Sequence, residues 1–289
     1  MSAPDPAKIE GFRDKLRQEW TDADTVAAWR KWHVPMSTFM RSATDAVLEA
    51  ARLKPGMHVL DLASGVGEPA IPIAEAVGSS GHVTGTDLGP GMIEFAAELA
   101  KKKGLGNIDF RVANVESLPF PDNTFDVVSS RFGVMFFPEQ VKAFRECLRV
   151  LKPGGRVSFV VWGSREQPFL GTTIGVIAKY VEMPAPDPDA PHAFMFGERG
   201  LLQSRLKAAG FADSHEEART FKGHWDGTPE EYWRQFTEVA APFRPLIAKL
   251  TPELRTTVES EVFANLRRLA DGSGFSMPLE IVIGTGVKP

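Results

Sequence analysis

Short apolar runs that alternate with helical segments are the feature that most limits how this chain can fold. The apolar runs predict strands over His58–Leu62, His82–Thr86, Ile108–Val112, Phe125–Ser129 and Arg156–Trp162. Strands this rich in apolar residues are typical of a parallel sheet that helices cover on both faces. Because the connections between the early strands are short and helical, the right-handed crossover rule predicts an α/β fold with a doubly wound sheet.

Helical spacing and further apolar runs complete the predicted architecture. After the first strand, helices are expected over Glu68–Val77, Met92–Lys103, Pro138–Leu151 and Arg199–Ala209. Near the end of the chain, strands are expected over Phe211–Phe221 and Phe275–Val287. We therefore predict a mostly parallel sheet whose last strand is antiparallel.

The predicted elements divide the chain into a core and two helical additions. Residues 1–53 carry the apolar spacing of two or three helices and are expected to form an N-terminal lid. Residues 54–221 and 275–289 hold the strands of the core. Residues 222–274 combine aromatic residues with helical spacing, which predicts a helical cap insert over the site. The Pro-rich segment Met183–His192 is expected to be an extended loop.

Charge and cysteine content exclude several classes of function. The formal net charge is −4 and the basic residues are scattered, which argues against a nucleic acid or another polyanion as partner. Cys147 is the single cysteine, so neither a disulfide framework nor a cysteine-based zinc site can form, and no metal is expected. No apolar run reaches the roughly 20 residues of a membrane span, and the first residues lack a signal-peptide core. We expect a cytoplasmic protein.

A turn of small residues follows the first predicted strand. The strand ends at Asp61 and Leu62, and Ala63, Gly65 and Gly67 come directly before the next helix. Small residues let backbone N–H groups approach a ligand closely, although a purely structural turn also uses them.

An acidic residue ends the second predicted strand. Asp87 follows the glycine turn at the spacing of a carboxylate that accepts hydrogen bonds from ribose hydroxyls. The alternative is a helix N-cap, because Pro90 comes soon after it. Together, the turn and Asp87 indicate a cofactor that contains adenosine.

Four segments resemble the motifs of the class I S-adenosylmethionine-dependent methyltransferases. Asp61, Ala63, Gly65 and Gly67 occupy the positions of that family's Asp-x-Gly-x-Gly-x-Gly element, with Ala63 as a departure. The other segments follow in family order: Val112–Phe120 (VANVESLPF), Phe125–Ser130 (FDVVSS) and Leu148–Arg156 (LRVLKPGGR). Residues 117–122 and 131–137 are most similar to the ubiquinone/menaquinone-biosynthesis C-methyltransferase-like group. The resemblance implies a Rossmann-like fold.

The resemblance also implies where S-adenosylmethionine and its product S-adenosylhomocysteine bind. Asp61 is expected to organise the methionine amino group, which the carbonyl of Arg131 also meets. The backbone of the turn is expected beside the sulfonium and its tail, from Ala63, Ser64, Gly65 and Gly67. Asp87 is expected to hold the ribose.

The adenine is expected to lie between further residues of the same motifs. Leu88 and Met92 are expected to pack on its faces, while Asn114 and the backbone N–H of Val115 read its edge. Family members often carry Asp where this chain has Asn114, and an amide accepts hydrogen bonds less strongly than a carboxylate. We expect either binding with a modest loss of affinity or compensation by Glu116.

The acceptor is expected to be a small molecule, aromatic or quinone-like, that is methylated on oxygen or carbon. A base helps such a reaction, and the candidates are His33, His192 and His224, each of which can equally be structural. Aromatic residues in segments that should surround the carboxyl ends of the strands are candidates for acceptor binding: Trp32, Phe132, Phe136, Trp162, Phe196 and Trp225.

Two other functions are compatible with a nucleotide-binding α/β core. An NAD(P)-dependent oxidoreductase is disfavoured by the glycine spacing and by the lack of a Tyr-x-x-x-Lys pair at Tyr180 or Tyr232. A non-catalytic protein that binds the cofactor without transferring its methyl group remains open. A homodimer is possible.

Overall fold

The computed structural model of the chain describes residues 5–183, 187 and 190–289. Residues 184–186 and 188–189, which belong to the predicted Pro-rich loop, lie outside the described residues.

The described residues form one 8-stranded sheet. Its strands are β1 (His58–Leu62), β2 (His82–Asp87), β3 (Ile108–Val112), β4 (Phe125–Arg131), β5 (Leu151–Trp162), β6 (Ala212–Trp225), β7 (Ala270–Asp271) and β8 (Gly274–Val287). The order is β3-β2-β1-β4-β5-β8-β6, with β7 paired to β8. Strands β1 to β5 are parallel, and β8 runs antiparallel to both β5 and β6. The predicted doubly wound sheet with an antiparallel last strand is confirmed.

Two strands, β5 and β6, extend beyond their predicted limits by more than two residues. Strand β6 continues to Trp225, because its last residues pair with the start of β8, where Trp225 lies opposite Phe275. Strand β5 begins at Leu151, which lies opposite Phe125 of β4. The cap insert therefore begins after Trp225, four residues beyond the predicted end of the strand at Phe221.

Helices cover both faces of the sheet. In chain order they are α1 (Pro6–Thr21), α2 (Ala23–Phe39), α3 (Arg41–Ala51), α4 (Ala70–Val77), α5 (Pro90–Lys102), α6 (Gln140–Val150), α7 (Pro168–Gly171), α8 (Ile174–Ile177), α9 (Leu201–Ala209), α10 (Pro229–Val239), α11 (Arg244–Ile247) and α12 (Pro252–Arg267). One hydrophobic cluster joins the sheet to α6 and α9, and another joins it to α3 and α4. None of these described helices is both long and apolar enough to cross a membrane.

Local signals set where the helices at the two ends of the chain begin. The carboxylate of Asp22 caps α2 by accepting from the N–H of Thr25 at 2.9 Å. Helix α10 begins with a capping box, in which Thr228 and Glu231 each accept from the other's backbone N–H. The apolar face of α10 then packs into a third hydrophobic cluster with α2, α7 and β8.

Polar contacts fasten the N-terminal helices to the cap insert. The Trp32 indole donates to Glu238 at 2.6 Å, and Lys31 pairs with the same carboxylate at 2.8 Å. Arg244, at the start of α11, donates to Asp22 at 3.1 Å and to Thr25 at 2.9 Å. Helices α1, α2 and α10 therefore form one continuous roof over the carboxyl ends of the strands.

Candidate functional site

A cavity of about 290 Å³ opens at the carboxyl ends of the strands, below the roof. The strand order reverses between the neighbouring strands β1 and β4, since β2 and β3 lie on one side of β1, and β4 and β5 lie on the other. Ligands of open α/β sheets bind at such a reversal point. We call one part the polar end: Ala63, Ser64, Gly65, Glu68, Thr86, Asp87, Leu88, Asn114, Val115, Glu116 and Arg131. We call the other part the aromatic end: Met36, Phe39, Met40, Phe132, Trp162, Phe169, Phe194, Tyr232, Gln235, Phe236, Val239 and Phe243.

The turn after β1 holds its backbone in the left-handed region. The φ angles are 51° at Ala63, 50° at Gly65 and 96° at Gly67. A Cβ atom on Gly65 would meet no atom of the described chain within 4 Å, so the backbone there borders open space. A Cβ on Gly67 would lie 2.8 Å from Ile71 Cδ1. Gly65 thus lines the cavity, whereas Gly67 lies behind the turn, where it lets α4 pack closely.

The carboxylate of Asp87 ties the turn to the second strand. Oδ2 accepts from the N–H of Gly65 and Oδ1 from the N–H of Gly89, both at 2.9 Å. Burial raises the pKa of Asp87 above its ordinary value, against the opposing effect of these backbone donors. The residue at the N-cap of α5 is Gly89, so the simple N-cap alternative for Asp87 does not describe the structure.

Asp61 lies beneath the turn and does not reach the cavity wall. Its side chain is fully buried, and Oδ1 accepts from Ser129 Oγ at 2.6 Å. Oδ2 has no hydrogen-bond partner among the described residues. Burial raises the pKa of Asp61 to about 8, because the charged form loses its hydration there.

A charged cluster that the sequence did not predict lies where β1 and β4 meet. Arg131 Nη1 donates to Thr44 Oγ1 at 2.7 Å and lies 3.6 Å from Glu68 Oε2. Thr44 in turn donates to Glu68 Oε2 at 3.1 Å. Burial lowers the pKa of Arg131, against the attraction of Glu68 and Asp61. The position of Glu68, directly after the glycine turn, was the available signal for this cluster.

The residues expected around the adenine all line the cavity. Leu88, Met92, Asn114 and Val115 all border the cavity. Asn114 Oδ1 accepts from the N–H of Glu116 at 3.0 Å, which fixes the amide in place.

Glu116 is held by helix α1, a contribution that sequence reasoning missed. Arg13 donates to Glu116 Oε2 from Nε at 2.9 Å and from Nη2 at 2.6 Å, and it also contacts Glu139. On the same helix, Trp20 packs against Trp29 of α2, with ring centroids 6.1 Å apart. These contacts place α1 over the polar end.

The proposed catalytic histidines lie away from the cavity, and the described residues that line it include no histidine. His33 Nδ1 bonds the carbonyl of Arg30 at 2.8 Å, and its ring packs on Phe95. His192 Nδ1 accepts from the N–H of Phe194 at 3.1 Å, and burial lowers the pKa of His192.

His224 is engaged in the sheet. It lies on β6, and its Nδ1 lies 2.9 Å from the Oγ of Ser276, the residue opposite it on β8. None of the three histidines is among the described residues that line the cavity. Their sequence positions gave no information on which side of a helix or strand they would occupy.

The aromatic candidates for acceptor binding divide into two groups. Phe132, Phe136 and Trp162 line the cavity. Phe196 is fully buried in the core below it, because it packs with α6 and α9.

Trp32 and Trp225 form part of the packing of the roof. The Trp32 indole is directed to Glu238, and Trp225, which is 3% exposed, packs on Phe39 and Tyr232. Their side chains support residues that line the cavity without lining it themselves.

Three parallel rings form one wall of the aromatic end. Phe132 stacks on Trp162 with centroids 4.3 Å apart and an interplanar angle of 17°. Trp162 stacks on Phe169 at 5.3 Å and 18°. Phe132 has a φ of 59°, an uncommon conformation for a bulky residue. This aromatic wall favours a planar ligand, because a further ring can extend the stack.

Two polar side chains from α10 interrupt the apolar surface. Gln235 is 4% exposed, and its Nε2 contacts Met36 Sδ at 2.9 Å. The Tyr232 hydroxyl, also buried, has a distant sulfur partner, Met277 Sδ at 4.0 Å. Burial raises the pKa of Tyr232, so the phenol stays neutral at physiological pH.

Comparison with known proteins agrees with this geometry. The model of the ubiE/COQ5 methyltransferase family matches residues 38–185. The ubiquinone/menaquinone biosynthesis C-methyltransferase UbiE of Shewanella sediminis is 42% identical over 111 residues, 38% of this chain and 44% of that protein. The demethylmenaquinone methyltransferase of Listeria welshimeri is 38% identical over 113 residues, 39% of this chain and 48% of that protein. The chain thus spans less than half the length of these curated relatives.

Solved structures share the fold over most of the chain. YcgJ from Bacillus subtilis has a TM-score of 0.56 at 23% identity and covers 86% of this chain and 98% of its own. Phosphoethanolamine N-methyltransferase 2 of Haemonchus contortus, in complex with S-adenosyl-L-methionine, has a TM-score of 0.57 at 19% identity. The match covers 96% of this chain and 60% of that protein. These similarities confirm the Rossmann-like fold.

Proposed function

Because the chain belongs to the ubiE/COQ5 methyltransferase family, we propose that it transfers the methyl group of S-adenosylmethionine to an oxygen or carbon atom of a planar, largely apolar small molecule. The observation that carries this proposal is a single cavity that joins a polar end at the family's motifs to an aromatic end under the roof. Cofactor and acceptor would meet where the two ends join.

The residues of the polar end fit the cofactor. Gly65 borders open space, so a ligand can approach the backbone closely. Asp87 would hold the ribose, while Leu88 and Met92 would pack on the adenine. Bound there, the cofactor would supply a methyl group that its positively charged sulfur makes electrophilic.

The chain's own contribution would be alignment and exclusion of water. The roof of α1, α2 and α10 covers the cavity, and the aromatic wall would hold a flat acceptor in one orientation. Alignment of two reactants supplies about 7–11 kcal/mol of a reaction barrier. A methyltransferase can therefore work without a histidine base at the cavity.

The acceptor is the least constrained part of the proposal. The curated relatives carry names from quinone biosynthesis, and a quinol ring would extend the wall of Phe132, Trp162 and Phe169. The family match ends before the insert, however, and the insert supplies Tyr232 and Gln235. We therefore propose an aromatic or quinone-like acceptor with an oxygen substituent that one of these two side chains can bind.

The test is methyl transfer from isotopically labelled S-adenosylmethionine to a panel of quinols, phenols and indoles, with saturated cyclic alcohols of similar size as the control. We expect label in one or more aromatic acceptors and none in the saturated alcohols. Binding of the cofactor with no label in any acceptor would favour the non-catalytic alternative. Binding of a nicotinamide dinucleotide in place of S-adenosylmethionine would overturn the proposal.

A further inference from the structure

Arg131 carries a buried charge that the surrounding protein compensates incompletely. Its side chain is 9% exposed and lines the polar end of the cavity. The carboxylate of Glu68 lies 3.6 Å away, which is an ion pair without a hydrogen bond. Removing two charges from water is costly unless hydrogen bonds satisfy them, so this pair alone explains poorly why an arginine occupies the position.

Most of the guanidinium has no acceptor in the described chain. Among the described residues, the guanidinium makes one hydrogen bond, which Nη1 donates to Thr44 Oγ1. Nε is buried without a partner. Buried polar atoms in native proteins are paired, so an unpaired one next to a cavity points to a ligand. The fork of an arginine suits a carboxylate, which it can bind through two parallel N–H groups.

A second unpaired atom, of opposite character, lies on the neighbouring strand. Asp61 Oδ2 is buried without a partner in the part of the chain that the structure describes. Asp61 lies opposite Ser129 in the pairing of β1 with β4, and Arg131 follows two residues later on β4. An unpaired acceptor and an unpaired donor therefore lie close together at the junction of these strands. Asp61 lies behind the cavity wall, whereas Arg131 lines the cavity, so the guanidinium is the group that the carboxylate of an α-amino acid can contact directly.

We infer that the guanidinium of Arg131 binds the carboxylate of the cofactor's amino-acid tail. The inference rests on the proposed function and gives the side chain a role of its own, because the family motif implies only that the backbone carbonyl of Arg131 meets the ammonium. Thr44 and Glu68 orient the guanidinium, and Arg131 selects cofactors that keep the carboxylate.

The ligand side of the test needs no mutation. Calorimetry on the wild-type full chain compares S-adenosylhomocysteine with its decarboxylated analogue, in which the carboxylate alone is missing. We expect the analogue to bind about 10- to 100-fold more weakly, the effect of losing a charge-assisted hydrogen bond. Equal affinities would overturn the inference. If neither ligand binds the wild-type protein, the proposed function itself fails, which is a distinguishable result.

The protein side of the test uses Arg131→Met and a matched arginine. Arg131→Met should bind both ligands with affinities within about twofold of each other, and Arg131→Lys should keep part of the wild-type preference. Arg13→Met is the control, because Arg13 also lines the cavity but is already paired with Glu116. It should keep the full preference. A folded Arg131→Met protein that still prefers S-adenosylhomocysteine would overturn the inference. If the methionine variant does not fold, Arg131→Lys replaces it, and an undiminished wild-type preference in that variant would overturn the inference.

Discussion

The two ends of the cavity are built in opposite ways. At the polar end, Asp87 is fixed by backbone N–H groups of Gly65 and Gly89, and its position follows from the end of a strand. At the aromatic end, residues such as Phe39 and Phe236 come from helices far apart in the chain and are held by packing. Strand ends thus fix the polar end, whereas the aromatic end combines the strand-end rings of Phe132 and Trp162 with side chains from helices distant in the chain.

The largest expected effect concerns the charge of Asp61, which is buried beneath the turn at the polar end. The folded chain keeps the Asp61 proton up to its pKa of about 8, while the unfolded chain loses it near 3.8. Stability from this group is therefore present below pH 4 and lost as the pH rises to 8. Relative to Asp61→Asn, the wild-type free energy of unfolding should fall by on the order of 5 kcal/mol across that window.

Chemical denaturation at several pH values measures this difference. The control comes from the aromatic end, where Tyr232→Phe removes a buried hydroxyl whose pKa is raised beyond this range. Tyr232→Phe should follow the pH dependence of the wild type. The prediction is contradicted if the free energies of unfolding of the wild type and of Asp61→Asn change in parallel with pH.

A smaller effect is expected for ligand binding at the polar end. Asp87→Ala removes the carboxylate that would hold the ribose and that also accepts from Gly65 and Gly89. Charge-assisted hydrogen bonds contribute about 1.5–3 kcal/mol, so S-adenosylhomocysteine should bind at least about tenfold more weakly. Calorimetry measures the affinity, and an unchanged dissociation constant would refute the assignment of Asp87.

The smallest effect is expected at the aromatic wall and should be confined to the acceptor. Trp162→Leu removes the middle ring of the stack with Phe132 and Phe169. Aromatic pairs contribute about 0.5–1.5 kcal/mol beyond their buried area, so kcat/KM for an aromatic acceptor should fall by a factor of about 2 to 10. Affinity for S-adenosylhomocysteine should change less than about twofold.

Trp32→Phe is the matched control for this variant, because Trp32 belongs to the roof and does not line the cavity. Steady-state kinetics should show little change in kcat/KM for Trp32→Phe. If Trp162→Leu weakens the cofactor as much as the acceptor, the two ends of the cavity do not act separately.

Local patterns predicted the sheet and much of the polar end. A strand that ends in small residues, and an acidic residue at the end of the next strand, are local signals, so Gly65 and Asp87 could be placed from sequence. The N-terminal helices and the insert were also visible as helical spacing. The insert is shorter than predicted at both ends, because β6 extends to Trp225 and the strands β7 and β8 begin within the predicted range.

Tertiary contacts determined what the sequence could not predict. Arg131 meets Thr44 only because α3 packs beside β4, and Tyr232 reaches the cavity only because α10 folds back under α2. His33 is not among the described lining residues for the same reason: its ring packs on Phe95 of α5. The side of a helix that faces a ligand depends on partners that are distant in the chain.

The long antiparallel ladder between β6 and β8 gives the insert an exchangeable character. It holds the two ends of the insert together, with Trp225 opposite Phe275. Since the entropy of closing a loop grows only slowly with its length, residues can be gained or lost between these ends with little cost to the sheet. Under the proposed function, grafting other helices onto this hairpin would change the acceptor preference while the strand ends at the polar end stay unchanged.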